Sequence, residues 1–186
     1  MSDKTIITRN FSKSAYLYDE YADIQRLAAD RLIEEIPGGS FRRILEIGCG
    51  TGIYTRLLKA KFGDSSIRSI DISETMIEVA RKNTPSENVE FIVGDAEEIG
   101  SEKSYDLITS NSAIQWFGSI ENALQGYSNI LNKGSWLVFS SFGPLTFNEL
   151  AAALKEIRPG RELFVASGNF PDREDLNRLL SKFLNK

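Results

Sequence analysis

The sequence predicts an α/β fold in which helices cover both faces of a doubly wound parallel sheet of five strands. Short apolar runs, the pattern of buried strands, alternate with segments of helical periodicity across residues 1–140. A glycine-rich turn joins the first of these runs to the helix after it. Strands and helices that alternate in this way form parallel sheets.

The turn, Gly48 to Gly52, lies between a strand predicted over Arg43 to Ile47 and a helix predicted over Ile53 to Phe62. The strand is nearly continuous in apolar residues, whereas the helix repeats its apolar residues at helical spacing. Glycines suit such a turn because the backbone takes positive φ there and a ligand approaches without meeting a Cβ. The free N–H groups at the helix N-terminus favour a carboxylate or a phosphate.

Spacing distinguishes between the candidate ligands of this turn. A dinucleotide site requires G-x-G-x-x-G, and its third glycine would fall at Ile53, so that pattern fails. The residues present, from Glu46 to Gly52, read E-x-G-x-G-x-G. A tight turn without a ligand is the alternative interpretation. Cys49, the single cysteine of the chain, lies within the turn and is expected to be a small packed residue rather than a nucleophile.

The segment before the first strand, Phe11 to Ile36, has helical periodicity and predicts one or two helices, which Pro37 ends. Three tyrosines lie near its beginning. They suit a lid over a bound ligand, because a tyrosine ring covers apolar groups while its hydroxyl makes hydrogen bonds, and they suit equally a helix at the edge of the domain. The three are Tyr16, Tyr18 and Tyr21.

Acidic residues follow the second and third predicted strands, Ser66 to Ile70 and Val89 to Val93. Asp71 is placed to accept hydrogen bonds from the two hydroxyls of a ribose, or else to cap the next helix, for which Ser73 is the better candidate. Asp95 is placed to accept a hydrogen bond from the amino group of adenine, or else forms an Asx-turn.

The fourth predicted strand, Tyr105 to Ser110, runs into a polar segment. In open parallel sheets ligands bind beyond the carboxyl ends of the strands, near the point where strand order reverses. The residues after this strand are therefore candidates to border a cofactor or its acceptor, with a core role as the alternative for the tryptophan. They are Asn111, Ser112, Gln115 and Trp116.

The remaining predicted elements complete one domain, 1–186, with an N-terminal helical segment (1–40), a core (41–143) and C-terminal helices (144–186). A capping box at Thr146 predicts a helix start, and the Lys133-Gly134 pair predicts the end of the helix before the fifth strand. These elements are a helix over Ile120 to Leu131, a strand over Trp136 to Ser140, and helices over Thr146 to Ile157 and Asp172 to Leu184.

Composition argues against several classes of function. The 186 residues include no histidine, which removes the usual metal ligand, the Ser-His-Asp and Cys-His arrangements and the commonest general base. The net charge of −4 argues against nucleic acid as the main partner. The chain shows neither a signal-peptide pattern nor an apolar stretch long enough to cross a membrane, so a cytoplasmic protein is expected.

The E-x-G-x-G-x-G turn resembles the first motif of the class I S-adenosylmethionine-dependent methyltransferases, which have a Rossmann-like fold. In that family the turn wraps around the amino-acid end of the cofactor, so no phosphate is needed. The resemblance implies S-adenosylmethionine as cofactor and S-adenosylhomocysteine as product. The cofactor-binding residues that it implies are Tyr18, Gln25, Glu46, Gly48, Cys49, Gly50, Thr51, Gly52, Asp71, Ile72, Met76, Asp95, Ala96, Asn111 and Ser112.

Further motifs resemble the BioC family, the malonyl-acyl-carrier-protein O-methyltransferases of biotin synthesis. The resemblance implies methylation of the free carboxyl of a malonyl thioester on acyl carrier protein, with Gln115 and Trp116 on the substrate side. No catalytic residue is assigned, because a carboxylate already ionised at pH 7 needs no general base. The motifs are Phe11-x3-Ala15-x2-Tyr18-Asp19-x2-Ala22-x2-Gln25, Ser110-Asn111-Ser112-Ala113-Ile114-Gln115-Trp116 and Gly143-Pro144-Leu145-Thr146-Phe147-x-Glu149-Leu150.

Two alternatives stay open: a methyltransferase of another small carboxylic acid or a quinone precursor, and a cofactor-binding module without catalysis. The family fold continues with two further strands, and the sequence ends at Lys186 before either, as a truncated chain, a short family member or half of a split enzyme. Strand five is then an exposed edge and a candidate for dimer pairing.

A basic patch is predicted after the fifth strand, where it could bind an acidic carrier protein, or else form a solvated helix end. Its residues are Lys155, Arg158 and Arg161.

Overall fold

A computed structural model of the chain contains one sheet of five strands, all parallel. The structure describes residues 4–100, 104–157 and 165–184. The strands are β1 (Arg43–Ile47), β2 (Ser66–Asp71), β3 (Val89–Val93), β4 (Tyr105–Asn111) and β5 (Leu131–Ser140). Their order across the sheet is β3-β2-β1-β4-β5, so the direction of succession reverses between β1 and β4.

The chain divides into two compact units, Met1–Ser141 and Phe142–Lys186. Helices cover both faces of the sheet in the first unit, which confirms the predicted fold class. The helices of this unit are α1 (Lys4–Ser14), α2 (Tyr18–Tyr21), α3 (Asp23–Glu35), α4 (Ile53–Lys61), α5 (Glu74–Asn83) and α6 (Ile120–Ile130). The second unit contains α7 (Asn148–Ile157) and α8 (Arg173–Leu184).

The hydrophobic core that holds the two central strands lies between the sheet and helices α3 and α4. Ile44 of β1 and Leu107 of β4 are fully buried and belong to one cluster with Leu32 of α3 and Leu58 of α4. Because β1 and β4 flank the reversal of strand order, this core fixes the two strand ends between which a ligand crevice is expected.

The N-terminal helical segment departs from the sequence prediction. Helix α1 begins at Lys4, well before the predicted Phe11, and the segment forms three helices rather than one or two. The breaks follow Ser14 and Tyr21, where Ala15 and Ala22 are 1% and 2% exposed. Both alanines are small enough to lie against the core where one helix ends and the next begins, and the apolar spacing of the sequence does not mark these breaks.

The fifth strand begins at Leu131, so the predicted helix stop at Lys133-Gly134 is wrong. Leu131 pairs with Tyr105, whereas Trp136 pairs with Leu107, and the register shifts between these pairs. Gly134, with φ 78°, lies within the shifted segment. Its left-handed backbone therefore belongs to a strand irregularity rather than to a helix end. Within the described residues, β5 pairs with β4 alone.

In the second unit, α7 begins at Asn148 rather than at Thr146, after a turn in which Phe147 has φ 63°. Lys155 lies in the last turn of α7, whereas Arg158 and Arg161 lie outside the described residues, so the basic patch stays a prediction. No helix in residues 4–100, 104–157 or 165–184 combines the length and the apolar character needed to cross a membrane.

Replacing Leu107 by alanine tests the core between the sheet and the helices. The side chain is completely buried, so Leu107→Ala is expected to lower the free energy of unfolding by about 2–5 kcal/mol through lost burial and a residual cavity. Urea unfolding measures the change. Leu27→Ala removes the same atoms from a site that is 51% exposed and should change stability by no more than about 0.5 kcal/mol. Equal losses in the two variants would contradict this placement of the core.

Candidate cofactor site

The glycine turn closes β1 against the end of β2. The N–H groups of Gly48 and Cys49 donate hydrogen bonds to the carbonyl oxygen of Ile70 at 2.8 and 3.1 Å. Gly48 has φ 66°, and a Cβ at this position would lie 2.3 Å from the Cβ of Ala113. Glycine is therefore required at position 48 for two reasons, the left-handed backbone and the close approach of the segment that follows β4.

Asp71 extends the turn from the end of β2. Its Oδ2 accepts a hydrogen bond from the N–H of Gly50 and its Oδ1 one from the N–H of Ser73, both at 2.9 Å. Burial raises the pKa of Asp71 above its ordinary value, and these two bonds oppose the rise. Ser73 caps α5, because its Oγ accepts a hydrogen bond from the N–H of Met76. A carboxylate has about four acceptor sites, so Asp71 has capacity left for a ligand.

The turn after β3 is held from two directions. Asp95 Oδ1 accepts a hydrogen bond from the N–H of Glu97 at 2.9 Å, which is the Asx-turn interpretation, and Oδ2 pairs with Lys4 Nζ at 2.5 Å. The Glu97 carboxylate accepts the N–H groups of Gly118 and Ser119 at 2.9 and 2.8 Å and also pairs with Lys4 Nζ, at 2.7 Å. Two carboxylates and one ammonium thus join α1 to the loops after β3 and before α6.

A hydrogen-bonded group of polar side chains follows β4. Ser140 donates to Asn111 Oδ1 at 2.8 Å, and Asn111 Nδ2 donates to the carbonyl oxygen of Gln25 at 3.0 Å. Ser112 has φ 57°, and its N–H donates to Ser140 Oγ at 3.0 Å. Gln115 is 4% exposed, and its Nε2 donates to the carbonyl oxygen of Ser112 at 2.7 Å. The Gln115 side chain therefore supports this loop from within.

Helices α1 to α3 contact the same edge of the sheet. Thr51 of the glycine turn donates to an Asp19 carboxylate oxygen, and Arg56 of α4 pairs with the other at 3.6 Å. The Phe11 ring meets the Trp116 ring edge-on, with ring centroids 5.8 Å apart. These contacts place the N-terminal helices against the carboxyl ends of the strands.

Two adjoining cavities lie under these helices, with about 760 and 320 Å³ of space that includes open solvent at their mouths. Both are lined by Tyr18, Gly48, Gly50 and Asn111. The larger is also lined by Asp71, Ile72, Met76, Asp95, Ala96, Ser112 and Trp116, and the smaller by Gln25, Cys49 and Thr51. Most residues nominated from the sequence thus converge on one place.

Three nominated residues do not line these cavities. Gly52 faces α5, because a Cβ on it would lie 3.0 Å from Thr84 Oγ1 and 3.5 Å from Ala80. Gln115 is turned into the loop after β4, and Glu46 lies beneath the glycine turn. The three tyrosines of the N-terminal helices differ in position. Tyr18 lines both cavities, whereas the side chains of Tyr16 and Tyr21 are 66% and 79% exposed. Gly52, Gln115 and Glu46 therefore stand next to the site along the chain but outside the lining of the two cavities, and the exposure of Tyr16 and Tyr21 fits the alternative of a helix at the edge of the domain.

Glu46 is a carboxylate in the middle of the sheet, with 1% of its surface exposed. Its Oε2 accepts hydrogen bonds from Thr55 at 2.7 Å and Ser69 at 2.6 Å, whereas Oε1 has no partner in the part of the chain that the structure describes. Burial raises the pKa of Glu46 to about 7, against the effect of those two bonds, and the charge of Asp71 adds to the rise. Glu46 therefore supports the floor of the site and titrates near neutral pH.

Sequence reasoning missed three charged residues of this site: Lys4, Asp19 and Glu97. Asp19 directly follows Tyr18 in the motif from Phe11 to Gln25, and this adjacency was the signal in the sequence that could have placed it at the site. Lys4 and Asp95 are separated by 91 positions, and no local pattern connects residues so far apart.

Comparison with known proteins shows the family to which the chain belongs. Residues 45–139 match a family described as a methyltransferase domain. The chain is 44% identical over 184 residues to malonyl-acyl-carrier-protein O-methyltransferase 2 of Ilyobacter polytropus, covering 97% of this chain and 69% of that protein. It is 37% identical over 190 residues to the malonyl-acyl-carrier-protein O-methyltransferase of Priestia megaterium, covering 99% and 69%.

A solved structure shares the fold. The plantazolicin methyltransferase BpumL in complex with S-adenosylhomocysteine aligns with a TM-score of 0.61 at 17% identity, covering 98% of this chain and 70% of that one. The matched domain and the doubly wound sheet define a class I S-adenosylmethionine-dependent methyltransferase. More narrowly, the chain belongs to the malonyl-acyl-carrier-protein O-methyltransferase family. The family resemblance inferred from the motifs is confirmed.

The raised pKa of Glu46 predicts a pH dependence of stability. Between its ordinary pKa of 4.5 and its folded pKa of about 7, the folded protein holds a proton that the unfolded chain releases. The free energy of unfolding therefore falls as pH rises through this window, by about 3 kcal/mol from this group, and levels off above it. Urea unfolding across the window should show a smaller fall in Glu46→Gln than in the wild type. Parallel pH profiles would contradict the assignment.

Proposed function

We propose that this chain transfers the methyl group of S-adenosylmethionine to the free carboxylate of a malonyl group carried on acyl carrier protein, in biotin synthesis. The observation that carries the proposal is the similarity over almost the whole chain to relatives of that name, 44% identity across 97% of it in one case. The site adds support, because its acidic and glycine residues meet at the carboxyl ends of neighbouring strands and line one cavity.

The residues present fit the cofactor. We infer that Asp71 accepts hydrogen bonds from the ribose hydroxyls and that Asp95 accepts one from the adenine amino group. The apolar lining beside them suits the adenine ring, and the N–H groups of the glycine turn suit the carboxylate of the methionine part. When bound, the cofactor supplies a methyl group activated by a positively charged sulfur. The apolar lining that suits the adenine ring consists of Ile72, Met76 and Ala96.

The chain's own contribution to the reaction is placement and removal of water. A malonyl carboxylate is ionised at pH 7, so no side chain would have to take a proton from it when it accepts the methyl group that the bound cofactor would supply. A chain without histidine is compatible with this chemistry. In-line positioning of the carboxylate and loss of its hydration under the lid then set the rate. We assign Trp116, which lines the larger cavity, to the acceptor side.

Mass spectrometry of the carrier protein tests the acceptor. With S-adenosylmethionine and this chain, malonyl-acyl-carrier protein is expected to gain the mass of one methyl group, because its free carboxylate is the nucleophile. Acetyl-acyl-carrier protein lacks that carboxylate and should gain none. Methyl transfer only to another small carboxylic acid or to a quinone precursor would contradict the proposed acceptor. Cofactor binding without turnover on any acceptor would indicate a binding module instead.

Replacing Asp71 by alanine tests the ribose assignment. Calorimetric titration with S-adenosylhomocysteine should show a loss of about 1–3 kcal/mol in binding free energy, since the ribose hydroxyls lose their acceptor. NAD is the control ligand and should bind neither protein. Glu74→Ala is the matched control variant, because it removes an exposed carboxylate from the same segment without removing a cavity-lining side chain. Unchanged affinity in Asp71→Ala would show that the assignment is wrong.

A further inference from the structure

Helix α1 lies over the larger cavity with little apolar burial. Its residues Lys4, Ile7 and Phe11, spaced three and four apart and so on one helix face, line the cavity. None of its residues is buried. The hydroxyls of Ser12 and Ser73 meet at 2.8 Å at its far end. Because the hydrophobic contribution is small, polar contacts carry a large share of what holds this helix in place.

Lys4 is the cation at the amino end of this helix. Its Nζ lies 2.5 Å from Asp95 Oδ2 and 2.7 Å from Glu97 Oε1, and the three side chains are 35%, 22% and 9% exposed, in that order. Of the described residues that line the larger cavity, Lys4 alone is cationic. Burial lowers the pKa of Lys4, but the hydrogen bonds to both carboxylates outweigh that effect and raise the pKa above its ordinary value. The ammonium therefore stays charged.

The two carboxylates hold Lys4 in different ways. Glu97 is anchored independently by the N–H groups of Gly118 and Ser119, so it is a fixed partner. Asp95 lines the cavity and uses one acceptor site for the N–H of Glu97 and one for Lys4. A carboxylate has about four such sites, so Asp95 still has acceptor capacity for a ligand. Lys4 can thus hold the Asp95 carboxylate without blocking it.

We propose that Lys4 is a positioning residue of the cofactor site, which bridges Asp95 and Glu97, holds α1 closed over the cavity and orients the Asp95 carboxylate for the adenine amino group. The inference rests on the cofactor-binding role of Asp95 in the proposed function. Lys4 acts through Asp95 and α1 and not on the reacting atoms. It follows that cofactor affinity depends on a contact made by the N-terminal helix.

Calorimetric titration with S-adenosylhomocysteine tests the role of Lys4 in the full chain. Lys4→Met keeps most of the length of the side chain and removes its charge, and it is expected to weaken binding roughly fivefold at low salt. The difference from the wild type should shrink in about 1 M salt, where the Debye length is about 3 Å. Lys4→Arg retains the charge and should retain most of the affinity. Lys13→Met is the matched control, because Lys13 is an exposed lysine of the same helix that does not line the larger cavity.

Amide hydrogen exchange without ligand gives a second measurement. Exchange in residues 4–14 should be faster in Lys4→Met than in the wild type and Lys13→Met, while exchange in the buried strands changes far less and the urea midpoint of the whole protein falls only slightly. Wild-type affinity and wild-type exchange in Lys4→Met, or equal losses in Lys4→Met and Lys13→Met, would overturn the proposal and leave the proposed function intact. A wild-type chain that binds no S-adenosylhomocysteine would instead contradict the proposed function, and the role of Lys4 would fall with it.

Discussion

The hydrogen bonds from Gly48 and Cys49 to the carbonyl oxygen of Ile70 are the constraint on which the rest of the site depends. They tie the turn after β1 to the end of β2, so that the N–H of Gly50 reaches the Asp71 carboxylate. A Cβ on Gly48 would collide with Ala113, so the same turn also sets how closely the segment after β4 approaches. Three strand ends are thereby fixed relative to one another at the reversal of strand order, where parallel sheets bind ligands.

The floor of the site is polar where the fold alone would favour apolar residues. Glu46 lies in the central strand with hydrogen bonds from Thr55 and Ser69 to one carboxylate oxygen and none from the described residues to the other. Burying a carboxylate in this way is costly, and the cost appears as a pKa raised to about 7. A buried acidic group directly under the glycine turn is a local departure from good packing of the kind found at functional sites.

Helix α1, which lies over the larger cavity, is held by a different kind of contact from the sheet beneath it. The sheet and helices α3 and α4 share a continuous apolar core, whereas α1 has no buried residue and depends on ion pairs, a hydroxyl pair and an aromatic contact. Polar contacts at a surface exchange readily with water and with a ligand, but buried apolar contacts do not. Contacts that water or a ligand can replace therefore hold helix α1 over the cavity, whereas an apolar core holds the sheet beneath it.

The sequence by itself determined the sheet and the location of the crevice. Buried strands leave continuous apolar runs and left-handed turns need glycine, so Arg43–Ile47 and Val89–Val93 were predicted to the residue, and Asp71 and Asp95 were placed at strand ends. Only the tertiary structure decided the direction of side chains such as Gln115 and the pairing of Lys4 with Asp95, across 91 positions. Such contacts depend on how distant elements pack together, and they leave no periodic pattern in the sequence.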